Sequence, residues 1–196
     1  MAHSWRFNSI YHFPTGLQGF AGSLLNGWWT SGILQAQTGL PFTPSTASPI
    51  RGTVGIPDLA PGRTKESIMK GVSTGCPGVA QGTPLGTPQR WFDPCAFIRA
   101  PQGTTGNVGR NTLDGPGVLT VDMSLAKDTR LSVLGEGGAV QFRAEVFNIL
   151  NRTNFSRPNR NVFQAAGTQA VPATAGQITA TDTKGREIQF ALKVIW

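Results

Sequence analysis

Two short stretches of the chain have spacings that catalysis could use, and neither is completed elsewhere in the sequence. Gly71-Val72-Ser73-Thr74-Gly75 has the form of a hydrolase nucleophile elbow, in which the serine needs a histidine base later in the chain. His3 and His12, the only histidines, both precede Ser73, and no strand pattern leads into it. Gly103, Gly106 and Gly109 are spaced like part of a phosphate loop, but no Gly-Lys-Ser/Thr follows them, and turn glycines account for them better. Cys76, Cys95, His3 and His12 lack the compact ligand spacing of a structural zinc site. The residues therefore predict no enzyme, no catalytic or metal-binding residue and no cofactor. What remains is a set of charges on alternating stretches, Asp122, Arg143, Glu145 and Lys193. In a closed barrel they would face the lumen and could pair there; on a soluble sheet they would simply be solvated.

The elements that carry these charges repeat with a period of two. Ile188, Phe190, Leu192, Val194 and Trp196 alternate with Gln189, Ala191, Lys193 and Ile195. Leu119, Val121, Met123 and Leu125 do the same, and so do Val140, Phe142, Ala144 and Val146. Each pattern gives a strand with one apolar and one polar or small-residue face. With two less regular copies nearer the N-terminus, strands are expected at about residues 4–13, 26–38, 117–130, 139–149 and 186–196. Gly135-Glu136-Gly137-Gly138 has hairpin-turn composition, and residues 20–25 could form a short helix. Residues 39–116 and 150–185 show neither helical nor strand periodicity and are expected to be long irregular loops.

Composition agrees with an all-β chain of antiparallel strands. Gly (25) and Pro (14) are too dense for long helices. Charged residues make up 14% of the chain, against roughly 25% in ordinary soluble domains. A formal charge of +7 permits anion binding, but the basic residues are dispersed, with the densest cluster at Arg152, Arg157 and Arg160. No nucleic-acid motif accompanies them, so no specific nucleic-acid partner is expected. Met1-Ala2-His3-Ser4-Trp5-Arg6 has no apolar signal-peptide core, so export would need an upstream part.

Short connections alternate with very long ones along the chain. Transmembrane barrels have that asymmetry, with trim periplasmic turns and long outer loops. A soluble sandwich would also alternate, yet a loop the length of 39–116 is uncommon in a compact soluble domain. The barrel parity puts 39–116, Asn151 and Asn154 outside and the turn at Gly135 inside. Cys76 and Cys95 then lie in an oxidising setting that favours a disulfide over two free thiols, which would stabilise the loop by about 3 kcal/mol. Trp28, Trp29 and Trp196 fall near strand ends, where interfacial aromatic girdles belong. Trp91 is expected to anchor its loop against Phe92 and Phe97.

Several segments are similar to one family in particular. Gly27-Trp28-Trp29-Thr30-Ser31-Gly32-Ile33-Leu34 with Gln37-Thr38-Gly39-Leu40-Pro41-Phe42-Thr43, then Trp91-Phe92-Asp93-Pro94-Cys95-Ala96-Phe97, then Gly106-Asn107-Val108-Gly109-Arg110-Asn111-Thr112-Leu113-Asp114-Gly115-Pro116-Gly117 follow in order. Val121-Asp122-Met123-Ser124-Leu125-Ala126-Lys127, the run from Gln141 to Phe155 and the final Arg186-to-Trp196 stretch complete the set. Together they resemble the closing section of Oar-like TonB-dependent outer-membrane receptors. The resemblance implies a barrel of about 22 strands around a plug, of which this chain would be the last five or six strands, a single barrel-type segment over 1–196 without plug domain. It implies solute transport or contact at the cell surface, in the bacterial outer membrane or outside the cell. Its implied partners are outer-membrane lipid, the rest of the receptor barrel and the barrel-assembly machinery. That machinery would read Ile188, Phe190, Leu192, Val194 and Trp196 as the assembly signal; a half-buried final strand is the plainer account of the same pattern. The alternative is an extracellular structural protein that assembles with copies of itself through exposed strand edges.

Overall fold

Alternation in the sequence becomes backbone pairing in a meander of five long strands. The computed structural model describes residues 3–46, 55–101, 103–164 and 168–196. The strands are β1 (Ser4–His12), β2 (Trp28–Gln37), β3 (Val118–Arg130), β4 (Ala139–Phe147) and β5 (Glu187–Ile195). Each pairs antiparallel with the next in chain order, giving one five-stranded sheet. Contacts divide the chain in two: the sheet, with Ala2–Thr38, Val118–Asn154 and Thr183–Trp196, and a second unit built from Gly39–Gly117 and Phe155–Asp182.

The ends of the sheet differ. At one end the links are short. Helix α1 (Gly19–Leu25) lies between β1 and β2, and a 3₁₀ turn over Ser132–Leu134 leads to Gly135 at φ +102° between β3 and β4. Only glycine adopts that backbone without strain. Leu131 N–H donates to the Gly138 carbonyl at 2.9 Å and closes the hairpin. At the other end β2 and β4 finish and β3 and β5 begin, so both long excursions leave and return there.

That second end is pinned by three asparagines at intervals of three. Asn148 and Asn151 sit at φ +49° and +48°, a left-handed conformation that asparagine tolerates better than most residues. Asn148 Nδ2 donates to the carbonyls of Arg152 (3.0 Å) and Lys184 (3.1 Å). Asn151 Oδ1 accepts from Arg186 N–H at 3.1 Å. Buried Asn154 closes both backbone groups of Leu119 at 2.9 and 3.0 Å and donates to Thr183 Oγ1 at 2.9 Å. The entries to β3 and β5 and the exit of β4 are thereby fixed to one another.

The excursion expected as irregular loop has a core of its own. Phe42, Ile68, Phe92, Phe97, Leu113, Val162 and Phe163 are buried together, with Phe92 tilted against Phe42 at 5.7 Å and edge-on to Phe97 at 6.1 Å. Helix α2 (Lys65–Met69) carries a Thr64 capping box and buries Ile68. Three two-stranded ladders, joining 41–42 to 113–114, 45–46 to 161–163 and 58–59 to 97–98, tie distant segments together. Elements of two or three residues carry no detectable period, which is why the sequence pattern shows loop where a packed unit stands. Some glycines here serve close packing: a Cβ at Gly39 would lie 1.7 Å from the Gly115 carbonyl oxygen.

Candidate functional site

The register sorts the sheet into two chemically distinct faces. One carries Trp5, Phe7 and Tyr11 from β1, Trp28, Leu34 and Ala36 from β2, and Leu119, Val121, Met123 and Leu125 from β3. Val140, Phe142, Ala144 and Val146 of β4 continue it, followed by Ile188, Phe190, Leu192 and Val194 of β5. All four of these β5 residues are exposed, Phe190 and Leu192 at 69% each, and Trp196 just beyond the strand is 89% exposed. Phe142 stacks on Phe190 at 6.2 Å, and Tyr11 meets Phe13 edge-on at 5.3 Å. A row of large apolar side chains left bare across adjacent strands is the kind of contiguous patch that marks a membrane or interaction surface. The one cation in these rows, Lys127, reaches to the short-link end, where its Nζ donates to the Ser23 carbonyl (2.7 Å) and Thr129 Oγ1 (2.9 Å). A long aliphatic stem with a charge carried to the margin of an apolar surface is snorkelling geometry.

The opposite face carries the polar and charged residues and is internally bonded, although Ile10, Ile33, Phe147 and Ile195 also fall on it. Asp122, Arg143, Glu145 and Lys193 all fall on it. Arg143 pairs with Glu145 at 3.5 Å, donates to Gln141 Oε1 at 3.0 Å and lies over the Trp29 ring at 5.7 Å. Trp29 Nε1 donates to Asp128 Oδ2 (3.0 Å), and Gln141 Nε2 donates to Asp128 Oδ1 (2.7 Å). The small residue between Trp29 and Arg143 in the register is Ala126, fully buried beneath them. Among the described residues Asp122 bonds to no other charge, and it accepts the Asn148 backbone N–H at 2.7 Å. Lys193 makes no ion pair or side-chain hydrogen bond among the described residues. Trp29 therefore departs from the expected girdle: it belongs to the polar network, while Trp28 and the position of Trp196 are on the apolar side. In the sequence Trp29 reads only as a girdle residue and Asp128 does not stand out, because which side chains meet across strands is not set until the register is known.

In the second unit, Cys76 and Cys95 are joined by a disulfide, 5.5 Å between Cα atoms, packed against Val79, Val171 and Ala175. Beside it lies fully buried Asp93, which accepts from Ser73 Oγ at 2.7 Å and Cys95 N–H at 3.2 Å and pairs with Arg63. Ser73 is only 1% exposed and its hydroxyl donates a hydrogen bond to the Asp93 carboxylate, as a structural tie does. Arg90 donates to the carbonyls of Ala173 and Ala175; burial lowers its pKa and Asp93 works against that shift. Trp91 packs on the core containing Phe92 and Phe97 and donates to the Asp114 carbonyl at 2.8 Å. Gly103 and Gly109 stand at φ +81° and +76°, as turn residues do. Among the described residues no three His, Cys, Asp or Glu are grouped to hold a metal ion.

A family model described as an outer membrane beta barrel domain matches residues 1–189 of the chain. No curated protein and no solved structure matches it.

Proposed function

Because the chain belongs to the outer membrane beta barrel domain family, and so to the outer membrane, we propose that it is a C-terminal wall segment of a TonB-dependent receptor of the Oar-like kind. In this reading it is not an enzyme. It supplies five strands of the barrel, and it contributes to solute uptake or to contact at the cell surface. The observation that carries it is the two-faced meander, with aromatic and aliphatic side chains on one side and the Trp29, Asp128, Gln141, Arg143 and Glu145 network on the other. Strands of 9 to 13 residues meet the roughly 9–11 residues that a tilted strand needs to cross a bilayer. Lipid covers the first face, and the lumen hydrates the second, where Asp122 and Lys193 also stand. Ile188, Phe190, Leu192, Val194 and Trp196 present alternating apolar groups to the assembly machinery along a strand edge, which fixes register. The remaining strands of the receptor close the barrel against β1 and β5.

A specific observation also supports a second reading. Among the described residues β1 and β5 each have a partner strand on one side only, which suits an extracellular protein that assembles with its own copies edge to edge. An antibody against an exposed peptide of the second unit, used on fractionated cells, separates the two. The receptor reading expects the antigen in the outer-membrane fraction, in a heat-modifiable species far larger than the 20.8 kDa of this chain. A 20.8 kDa product recovered as filaments from the culture fluid would sink it and support the second.

A further inference from the structure

Two open clefts on the second unit adjoin through a shared arginine. One, of about 520 Å³, is lined by Phe42, Asn159 and Asn161 together with Arg157 and Arg160. The other, of about 550 Å³, is lined by Thr43, Ser45 and Thr105 with Arg110 and, again, Arg160. Each falls in the size range of small-ligand sites, about 300–1,000 Å³.

The state of the unit's cations singles these clefts out. Arg63 pairs with Asp93, Lys65 with Asp114 and Lys70 with Glu66. Arg90 is held by two backbone carbonyls, and Arg99 donates to the Thr168 carbonyl and lies over Phe163 at 4.9 Å. Among the described residues of this unit, the cations without an ion pair or side-chain hydrogen bond are Arg110, Arg157 and Arg160, and all three line the clefts. No acidic side chain lines either one. Like charges gathered on a concave surface repel one another and focus a positive potential there. Guanidinium groups match carboxylates and other oxyanions in paired hydrogen bonds, and the neighbouring amides and hydroxyls suit a polyhydroxylated ligand.

We propose that this double cleft binds an acidic oligosaccharide, with successive anionic groups on Arg157, Arg160 and Arg110 and sugar hydroxyls on the Asn, Ser and Thr side chains. Use of both clefts through Arg160 requires an oligomer. The inference goes beyond the receptor reading and does not depend on it, since binding requires no transport.

The test is calorimetric titration of the full chain, refolded in detergent with its disulfide formed. The probes are hexagalacturonate, neutral maltohexaose and inorganic tripolyphosphate. Saturable binding of hexagalacturonate is expected, weakened about tenfold or more by Arg157→Ala with Arg160→Ala. The milder pair Arg157→Lys with Arg160→Lys keeps charge and loses the fork, and should weaken binding too. Arg152→Ala with Arg186→Ala removes the same charge from the sheet unit and should change affinity less than twofold. Equal binding of maltohexaose, equal loss in the control pair, or no saturable binding would overturn the proposal. Tripolyphosphate matching hexagalacturonate would reduce the site to a general charge sink and overturn the sugar assignment.

Discussion

Asp93 and Asp114 each hold a cation, and their surroundings set very different energies. Asp93 is fully buried with Arg63, Ser73 and the Cys95 amide around it, and breaking such a pair costs about 3–5 kcal/mol because the remaining partners lose their acceptor. The Lys65–Asp114 pair is half exposed on both sides and is worth about 1 kcal/mol or less. Chemical unfolding followed by tryptophan fluorescence should therefore show Asp93→Ala strongly destabilised and Asp114→Ala almost unchanged; similar midpoints for the two would contradict the burial argument. Asn154 makes a parallel case in the sheet. Asn154→Ala leaves the N–H and C=O of Leu119 and the hydroxyl of Thr183 without their partner, at about 1–3 kcal/mol for a buried group so orphaned. Hydrogen exchange of the Leu119 amide should accelerate in that variant, and unchanged protection would show that the contact is dispensable.

The two sides of β5 make opposite demands on substitution. Phe190 lies on the apolar side beside Phe142, and Gln189, opposite Glu145, lies on the polar side. Phe190→Arg puts a charge on a face assigned to lipid, at about 2–4 kcal/mol near the midplane of a bilayer. Gln189→Arg adds a cation next to Glu145 and should be tolerated. Urea titration of both variants in phospholipid vesicles measures the difference; equal midpoints would contradict the two-face assignment, and a lower midpoint for Gln189→Arg would reverse it. The asparagine-pinned end of the sheet explains how β3, β4 and β5 keep this register while carrying long excursions. Their entries and exits are bonded to each other through Asn148, Asn151 and Asn154.

At the scale of the whole chain, two exposed edges and a bare apolar face need cover. Trp5, Phe7, Phe190 and Leu192 are each at least 65% exposed. In water these surfaces associate, by edge pairing or by face-to-face stacking. Sedimentation in plain buffer is expected to show large oligomers or filaments that disperse when detergent is added. A monodisperse species of 20.8 kDa without detergent would mean that the chain shields these residues within itself.

The long strands and their two faces were legible in the sequence because a half-exposed strand must alternate, and nine or more residues give that alternation time to show. Leu119 to Leu125, Val140 to Val146 and Ile188 to Val194 were readable for that reason, as was the glycine turn at 135–138. Cys76 and Cys95 could be expected to bond once the loop was placed outside. Tertiary structure alone decided that Trp29 joins Asp128 and Arg143 across three strands, since which side chains stand next to one another across strands depends on register. It alone turned residues 39–116 into a packed unit, because Phe42, Phe92, Leu113 and Phe163 meet from segments up to about 120 positions apart with no period to announce them. The same non-local folding brought Arg110 beside Arg160. Local patterning determines which residues can form a strand, whereas contacts between distant irregular segments are selected by packing and are written nowhere in a single stretch of chain.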